Sequence, residues 1–237
     1  MTLRGLVFDV DGTLAETEDL HRRAFNEAFI ESGLDWSWDR TLYKKLLDTT
    51  GGKERLGVYQ RDHLGGPQVL ASEEIAELHK IKTKRYLALI DRGALTLRPG
   101  INSLLSEARS SDLFLAIATT TSYPNIDALS HCCWSKPAAE VFDVIASGDE
   151  VKNKKPAPDI YQLSLERLSL PAADCIAFED SQNGLLSAKA AGLQVIVTPG
   201  IYTKDQVFEG AVGIFPVIPR LKEITAILLE SSGSNKP

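Results

Sequence analysis

Asp9 and Asp11 stand one residue apart at the end of the apolar run Leu3 to Phe8, and Gly12-Thr13 turns the backbone away behind them. Alternate residues of an extended segment share a face, so both carboxyl groups would point into one site. Like charges that close need a cation or a shared proton. An Asp-Gly turn ending an ordinary strand reads the same locally, so the pair alone does not decide. Two later apolar runs also end in reactive groups. Phe114–Ala118 delivers Thr119, a hydroxyl able to bind a phosphate oxygen, and Cys175–Phe178 delivers the acidic pair Glu179-Asp180. A hard cation such as Mg²⁺ prefers oxygen ligands and is commonly held by one or two carboxylates plus phosphate and water. Lys154-Lys155-Pro156-Ala157-Pro158-Asp159, between those runs, fixes a lysine ahead of a rigid helix start. Together the four features describe a site for an anionic substrate and a divalent ion.

The elements that must position these groups follow from periodicity. Short apolar runs at Leu3–Phe8, Phe114–Ala118, Val141–Ala146, Cys175–Phe178, Val195–Thr198 and Val212–Phe215 read as buried strands. Helical segments at Asn102–Ser110, Asn125–Cys133, Asp159–Leu168, Gln182–Ala191 and Leu221–Glu230 separate or follow them. That alternation predicts an α/β fold, a Rossmann-like parallel sheet with right-handed crossovers. Ligands of such sheets bind outside the carboxyl ends of the strands, where Asp9 and Asp11 lie. Residues 16–95 read otherwise, as helices only. A stripe through Thr17, Leu20, His21, Ala24, Ala28 and Phe29 predicts a helix from Glu16 to Ser32, and Trp36–Asp48 a second. Thr49–Arg55 reads as a polar loop running into another helix, Gly65-Gly66-Pro67 as a break, and Ser72 as the start of a long helix through Ile75, Leu78, Ile81, Tyr86 and Leu89. The helical block is expected as an inserted cap of residues 16–96, with 1–15 and 97–237 forming the core. Ser231–Pro237 reads as a disordered tail.

The 237 residues are 43% hydrophobic and 24% charged, with a net charge of −6, which argues against broad binding to nucleic acid or an anionic membrane. No apolar run reaches the roughly 18 residues of a membrane span. The first strand begins almost at once, leaving no room for a signal peptide. Cys132, Cys133 and Cys175 make an odd count with two adjacent, a poor disulfide framework, and are expected as reduced thiols of a cytoplasmic protein.

Phe8–Thr13, Thr119, Lys155–Asp159 and Glu179–Ser181 resemble the four motifs of the haloacid dehalogenase superfamily of phosphohydrolases, and the cap inserted after the first strand is similar to its β-phosphoglucomutase-like branch. Ala15–His21, Gly51–Arg55, Leu97–Gly100 and Ala118–Ser122 more narrowly resemble the CbbY subfamily. That subfamily is associated with the Calvin cycle and removes the 1-phosphate of xylulose-1,5-bisphosphate. The resemblance implies Asp9 as nucleophile, forming an aspartyl-phosphate. It implies Asp11 as the acid that protonates the leaving oxygen and then activates water, which requires a proton on Asp11 when substrate arrives. Thr119 and Lys155 would bind the transferring phosphoryl oxygens. Mg²⁺ would sit on Asp9 and Asp180, with the Asp11 backbone carbonyl, and with Glu179 as ligand or one layer behind. Thr119 stands where serine is commoner and keeps the hydroxyl.

The cap is expected to select a small phosphorylated sugar. Lys53 and Arg55, beside Gly51 and Gly52, are suited to a second phosphate that is bound but not cleaved. A solvated, charged helix start has the same sequence. Glu16 and His21 flank the hinge and could touch sugar hydroxyls or orient Asp11, although His21 also falls on a packing stripe. Thr120 adjoins Thr119 at the phosphate end. Tyr43 and Arg98 are weaker candidates, and Trp36 and Trp38 read as cap core. A monomer is expected, without nucleic acid or membrane. A sugar phosphomutase would use the same Asp9 and Asp11, differing in whether water or a sugar hydroxyl takes the phosphoryl group. Phosphatases for other small metabolites, such as phosphoglycolate, share the motifs too. A non-catalytic sensor would be expected to lack Asp9, Asp11 or Lys155.

Overall fold

A computed structural model describes residues 2–64, 70–92 and 95–233. The expected break at Gly65–Pro67 and residues 234–237 of the tail lie outside them. Six parallel strands form one sheet: β1 (Gly5–Phe8), β2 (Phe114–Ala118), β3 (Val144–Ala146), β4 (Cys175–Glu179), β5 (Gln194–Val197) and β6 (Gly213–Ile214). Their order is β3-β2-β1-β4-β5-β6. The chain steps outward from β1 to β3, then crosses back and steps outward from β4 to β6. β1 therefore lies at the reversal, the position where open α/β sheets bind ligands. Phe8 is level with Ile117 of β2 and Phe178 of β4, so three reactive strand ends share one edge.

Both faces of the sheet are covered, which is why the strands are apolar runs rather than alternations. Leu6 and Phe8 pack on one face among side chains of α5 (Ile101–Ser110), α6 (Tyr123–Trp134) and α10 (Leu221–Gly233). Val7 packs on the other among those of α8 (Asp159–Leu168) and α9 (Gln182–Ala190). A short helix, α7 (Ala138–Val141), takes the start of the expected third strand. The last helix runs to Gly233, so Ser231–Gly233, expected in the tail, continue α10.

Between β1 and α5 the described residues form four cap helices: α1 (Glu18–Glu31), α2 (Arg40–Leu46), α3 (Gly52–His63) and α4 (Ser72–Ile90). They carry their own apolar cluster, in which Phe25, Phe29, Trp38 and Tyr43 are fully buried beside Trp36, Tyr59 and Leu78. The tryptophan pair is cap core, as its sequence context suggests. The helix expected over Trp36–Asp48 begins only at Arg40. Asp39 caps it, accepting from the Leu42 amide at 2.7 Å, while the Trp38 backbone is held by both ends of the Asn26 amide at 2.8 and 3.0 Å.

A seam of polar contacts joins cap to core. Lys44 pairs with Asp205 at 2.6 Å and Lys53 with Asp149 at 3.3 Å. The Tyr202 hydroxyl donates to Asp19 at 3.0 Å, and Asn183 donates to the Asp48 carbonyl at 3.0 Å. The cleft beneath this seam is lined from both sides.

Candidate active site

Asp9 leaves the tip of β1, its amide donating to the Phe178 carbonyl at 3.0 Å, which sets it beside the end of β4. Lys155 reaches the same point from the loop before α8. Its Nζ donates to Asp9 Oδ1 at 2.7 Å and to Glu179 Oε1 at 2.6 Å. Tyr161, on the first turn of α8, donates to Glu179 Oε1 at 2.5 Å, and the Asp180 amide and Ser181 hydroxyl face Glu179 Oε2. All four charged groups are buried. Burial pulls the Lys155 ammonium toward the neutral form, but Asp9 and Glu179 outweigh it and hold the proton more tightly than usual. Asp9 is pushed up to about 7, chiefly by burial, with Glu179 and Asp11 adding and Lys155 opposing. Asp180 is raised well above the carboxylate range by burial and by Asp9 and Glu179.

Carboxylate oxygens of Asp9, Glu179 and Asp180 lie within 4.8 Å of one another. One lysine cannot satisfy three buried carboxylates, and burial together with their mutual repulsion raises Asp9 and Asp180. This donor set fits a hard divalent cation. Both Glu179 oxygens already have donors, whereas Asp9 uses only Oδ1 and Asp180 receives one hydrogen bond, from Thr203 at 3.2 Å. Mg²⁺ would thus be held by Asp9 and Asp180, with Glu179 fixing Lys155 behind them. Gly12 makes room for Asp180. It has φ +83°, and a Cβ there would collide with the Asp180 carboxylate.

The Asp11 side chain faces away from this cluster. Its Oδ1 accepts from the Thr17 hydroxyl at 2.5 Å and from His21 Nε2 at 3.0 Å. Lys82 Nζ donates to His21 Nδ1 at 2.7 Å. An ammonium only donates, so Nδ1 accepts and the ring proton sits on Nε2, facing Asp11. The imidazole stacks on Tyr86 with centroids 3.9 Å apart. Burial opposes ionisation of Asp11, but its hydrogen bonds from His21 and Thr17 and the positive charge nearby hold it below the usual carboxylate range. Both hydrogen bonds fall on Oδ1, and they favour the carboxylate, the form suited to activating water.

Thr119 follows β2 and is buried, its amide donating to the Ala146 carbonyl at 3.2 Å and its hydroxyl accepting from the Thr121 amide at 3.3 Å. Thr120 lines the cleft next to it. Glu16 spans from the hinge to the loop after β5, accepting from the Ile201 amide at 3.2 Å, with Arg98 3.6 Å away. Arg98 is a tie rather than a ligand, since its guanidinium donates to the carbonyls of Gly12, Thr198 and Pro199.

The two cap cations expected to act together line one cleft but differ in exposure. Lys53 is half exposed over the cleft, whereas Arg55 is buried and spends its donors on the Leu46 carbonyl, the Tyr43 hydroxyl and the Thr49 carbonyl. Arg55 braces the loop that presents Gly51, Gly52 and Lys53 and lines the cleft with them. Tyr43 is likewise internal, donating to Glu18 at 2.8 Å.

Lys82, Tyr161, Asp149 and His79 were not singled out from sequence. Lys82 had a signal: it lies on the buried stripe Ile75, Leu78, Tyr86 and Leu89 of α4, where a lysine is out of place. Asp149 and Tyr161 are brought in by packing and had none. The cysteines are free, Cys132 exposed and Cys175 buried, and among the described residues no helix is long and apolar enough to cross a membrane.

The chain matches the haloacid dehalogenase-like hydrolase family over residues 6–198. It is 54% identical over 209 residues to protein CbbY of Cereibacter sphaeroides, covering 88% of this chain and 90% of that protein. The crystal structure of a CbbY mutant from Rhodobacter sphaeroides in complex with xylulose-(1,5)bisphosphate superposes with a TM-score of 0.87 at 51% identity, covering 91% of this chain and 95% of that one. A β-phosphoglucomutase from Clostridium difficile shares the fold, with a TM-score of 0.82 at 22% identity over 97% of this chain and 99% of its own. A parallel sheet whose level tips gather Asp9, Lys155, Glu179 and Asp180, under an inserted helical cap, and these similarities lead to one conclusion: the chain belongs to the haloacid dehalogenase-like hydrolases, on their CbbY branch, and is a phosphatase.

Proposed function

We propose that this phosphatase depends on Mg²⁺ and removes the 1-phosphate of xylulose-1,5-bisphosphate, releasing xylulose-5-phosphate. The observation that carries the reading is the 51% identical CbbY structure holding that sugar bisphosphate, joined to a cleft here that has the phosphoryl-transfer residues on the core side and a half-exposed lysine on the cap side. In this reading Asp9 attacks phosphorus and forms an aspartyl-phosphate, while Thr119 and Lys155 hold the phosphoryl oxygens. Bound at Asp9 and Asp180, Mg²⁺ would offset the repulsion between carboxylate nucleophile and phosphate. Asp11 gives a proton to the leaving oxygen and takes one from water in the second half-reaction. Its ionised form suits that second step at once, and an arriving phosphate raises its proton affinity for the first. Residues 16–96 act as the specificity cap on a core of 1–15 and 97–237, with Gly52 and Lys53 facing the second phosphate and Glu16 and His21 at the hinge. The protein is read as a cytoplasmic monomer serving carbon fixation by the Calvin cycle.

The test is phosphate release, with Mg²⁺ and after chelation, from xylulose-1,5-bisphosphate, ribulose-1,5-bisphosphate, β-glucose-1-phosphate and phosphoglycolate. Selective, Mg²⁺-dependent hydrolysis of the first is expected. Conversion of β-glucose-1-phosphate to the 6-phosphate with little release would instead make the protein a mutase.

A further inference from the structure

His79 lies on α4 one turn before Lys82 and lines the cleft on its cap side, together with Gly52 and Lys53. Its Nε2 presses on the first turn of α3 so closely that a Cβ at Gly52 would collide with it. A side chain at position 52 would require that ring to move. The Phe25 ring stands beside the imidazole at a centroid distance of 6.4 Å, and the half-buried ring opens on the cleft. Burial, followed by Lys82, Lys53, His21 and Arg55, keeps the ring neutral, holding it down to about 3. A polar ring on the cleft wall beside Lys53, one turn before Lys82, sits where positive charge favours an anionic group of a ligand.

We infer that His79 is a specificity-determining residue that donates a hydrogen bond to the non-reacting phosphate of a sugar bisphosphate, beside Lys53. The inference rests on the bisphosphate reading above. A neutral imidazole has one N–H to give, and the first-turn amides of α3 lie next to it. Lys53, half exposed and paired with Asp149 across the cleft, supplies the mobile charge; His79 supplies the fixed donor.

The experiment compares the parent with His79→Leu and His79→Asn on xylulose-1,5-bisphosphate, ribulose-1,5-bisphosphate, fructose-1,6-bisphosphate and phenyl phosphate. His79→Leu should lower kcat/KM for the preferred bisphosphate at least about tenfold more than for phenyl phosphate, mainly through KM, as expected for a lost hydrogen bond to a charged group. His79→Asn, which keeps an N–H donor, should recover part of it. Equal losses on bisphosphate and phenyl phosphate in both variants would make His79 a packing residue and overturn the inference, as would no loss. If the parent prefers another of the bisphosphates and His79→Leu removes that preference, the assignment to xylulose-1,5-bisphosphate falls and His79 stands. A parent with no preference for any bisphosphate removes the second-phosphate site and the role of His79 with it.

Discussion

The core half and the cap half of the cleft hold their charges in different ways. On the core side Asp9, Lys155, Glu179 and Asp180 are buried, bonded to one another and fixed by adjacent strand ends and the start of α8. On the cap side the cations divide among tasks: Arg55 braces a loop, Lys82 serves His21, and Lys53 alone is half exposed. Charges are thus fixed where the backbone is most constrained and left adjustable where one exposed side chain or a helix start can be exchanged. A family can keep the first half and vary the second.

The sharpest way to break this contrast is Asp9→Asn. Phosphate release should fall by about 10³-fold or more, as for loss of a nucleophile. The thermal midpoint should hold or rise, because one of three crowded carboxylates is neutralised. Turnover near the parent level would remove Asp9 from its role. Next in size, Arg55→Met should destabilise the fold by about 3 kcal/mol in urea unfolding, since the Tyr43 hydroxyl and two carbonyls lose a buried donor. A raised KM with unchanged stability would show Arg55 to be a substrate residue after all.

Lys82 gives a pH-dependent test. Burial lowers its pKa from 10.5 to about 8, more than Asp11 and Glu18 restore. Between those values the unfolded chain binds more protons than the folded one, so parent stability rises with pH across that window, and below pH 8 the cost of the buried ammonium is fully present. Lys82→Met should lack this slope, so the stability gap between parent and variant should change by on the order of 2 kcal/mol between pH 7 and pH 10. A parallel pair of pH profiles would show that Lys82 is neutral or hydrated throughout. The smallest effect is expected for Asp149→Asn, which frees Lys53 from an exposed pair worth about 0.5 kcal/mol. KM for the bisphosphate should fall about twofold at low salt, with the gain fading as salt rises. An increase in KM would mean that Asp149 itself touches substrate.

Much of the core was legible because its signals are local. A strand buried on both faces must be an apolar run, and its end must be a turn, so Asp9, Thr119 and Glu179-Asp180 announce themselves by where the hydrophobicity stops. β2 and α8 fall on their expected boundaries for the same reason. The expected helix over Trp36–Asp48 was partly wrong because Asn26, twelve residues before Trp38, captures that backbone. Tyr161, Asp149 and His79 carry no mark in the sequence, since nothing local to a helical tyrosine, a loop aspartate or a helical histidine says what it will face.

By itself, then, the order of residues determined the sheet, the inserted helices and which carboxylates and lysine stand at strand ends and helix starts, because periodicity and turn chemistry act over a few residues. Which cations remain free for a ligand, what holds the Asp11 carboxyl and what presses on Gly52 were decided only in three dimensions. Those properties depend on burial and on distances of a few ångströms between groups as far apart in the chain as Asp9 and Lys155, and electrostatic energies change steeply over such distances.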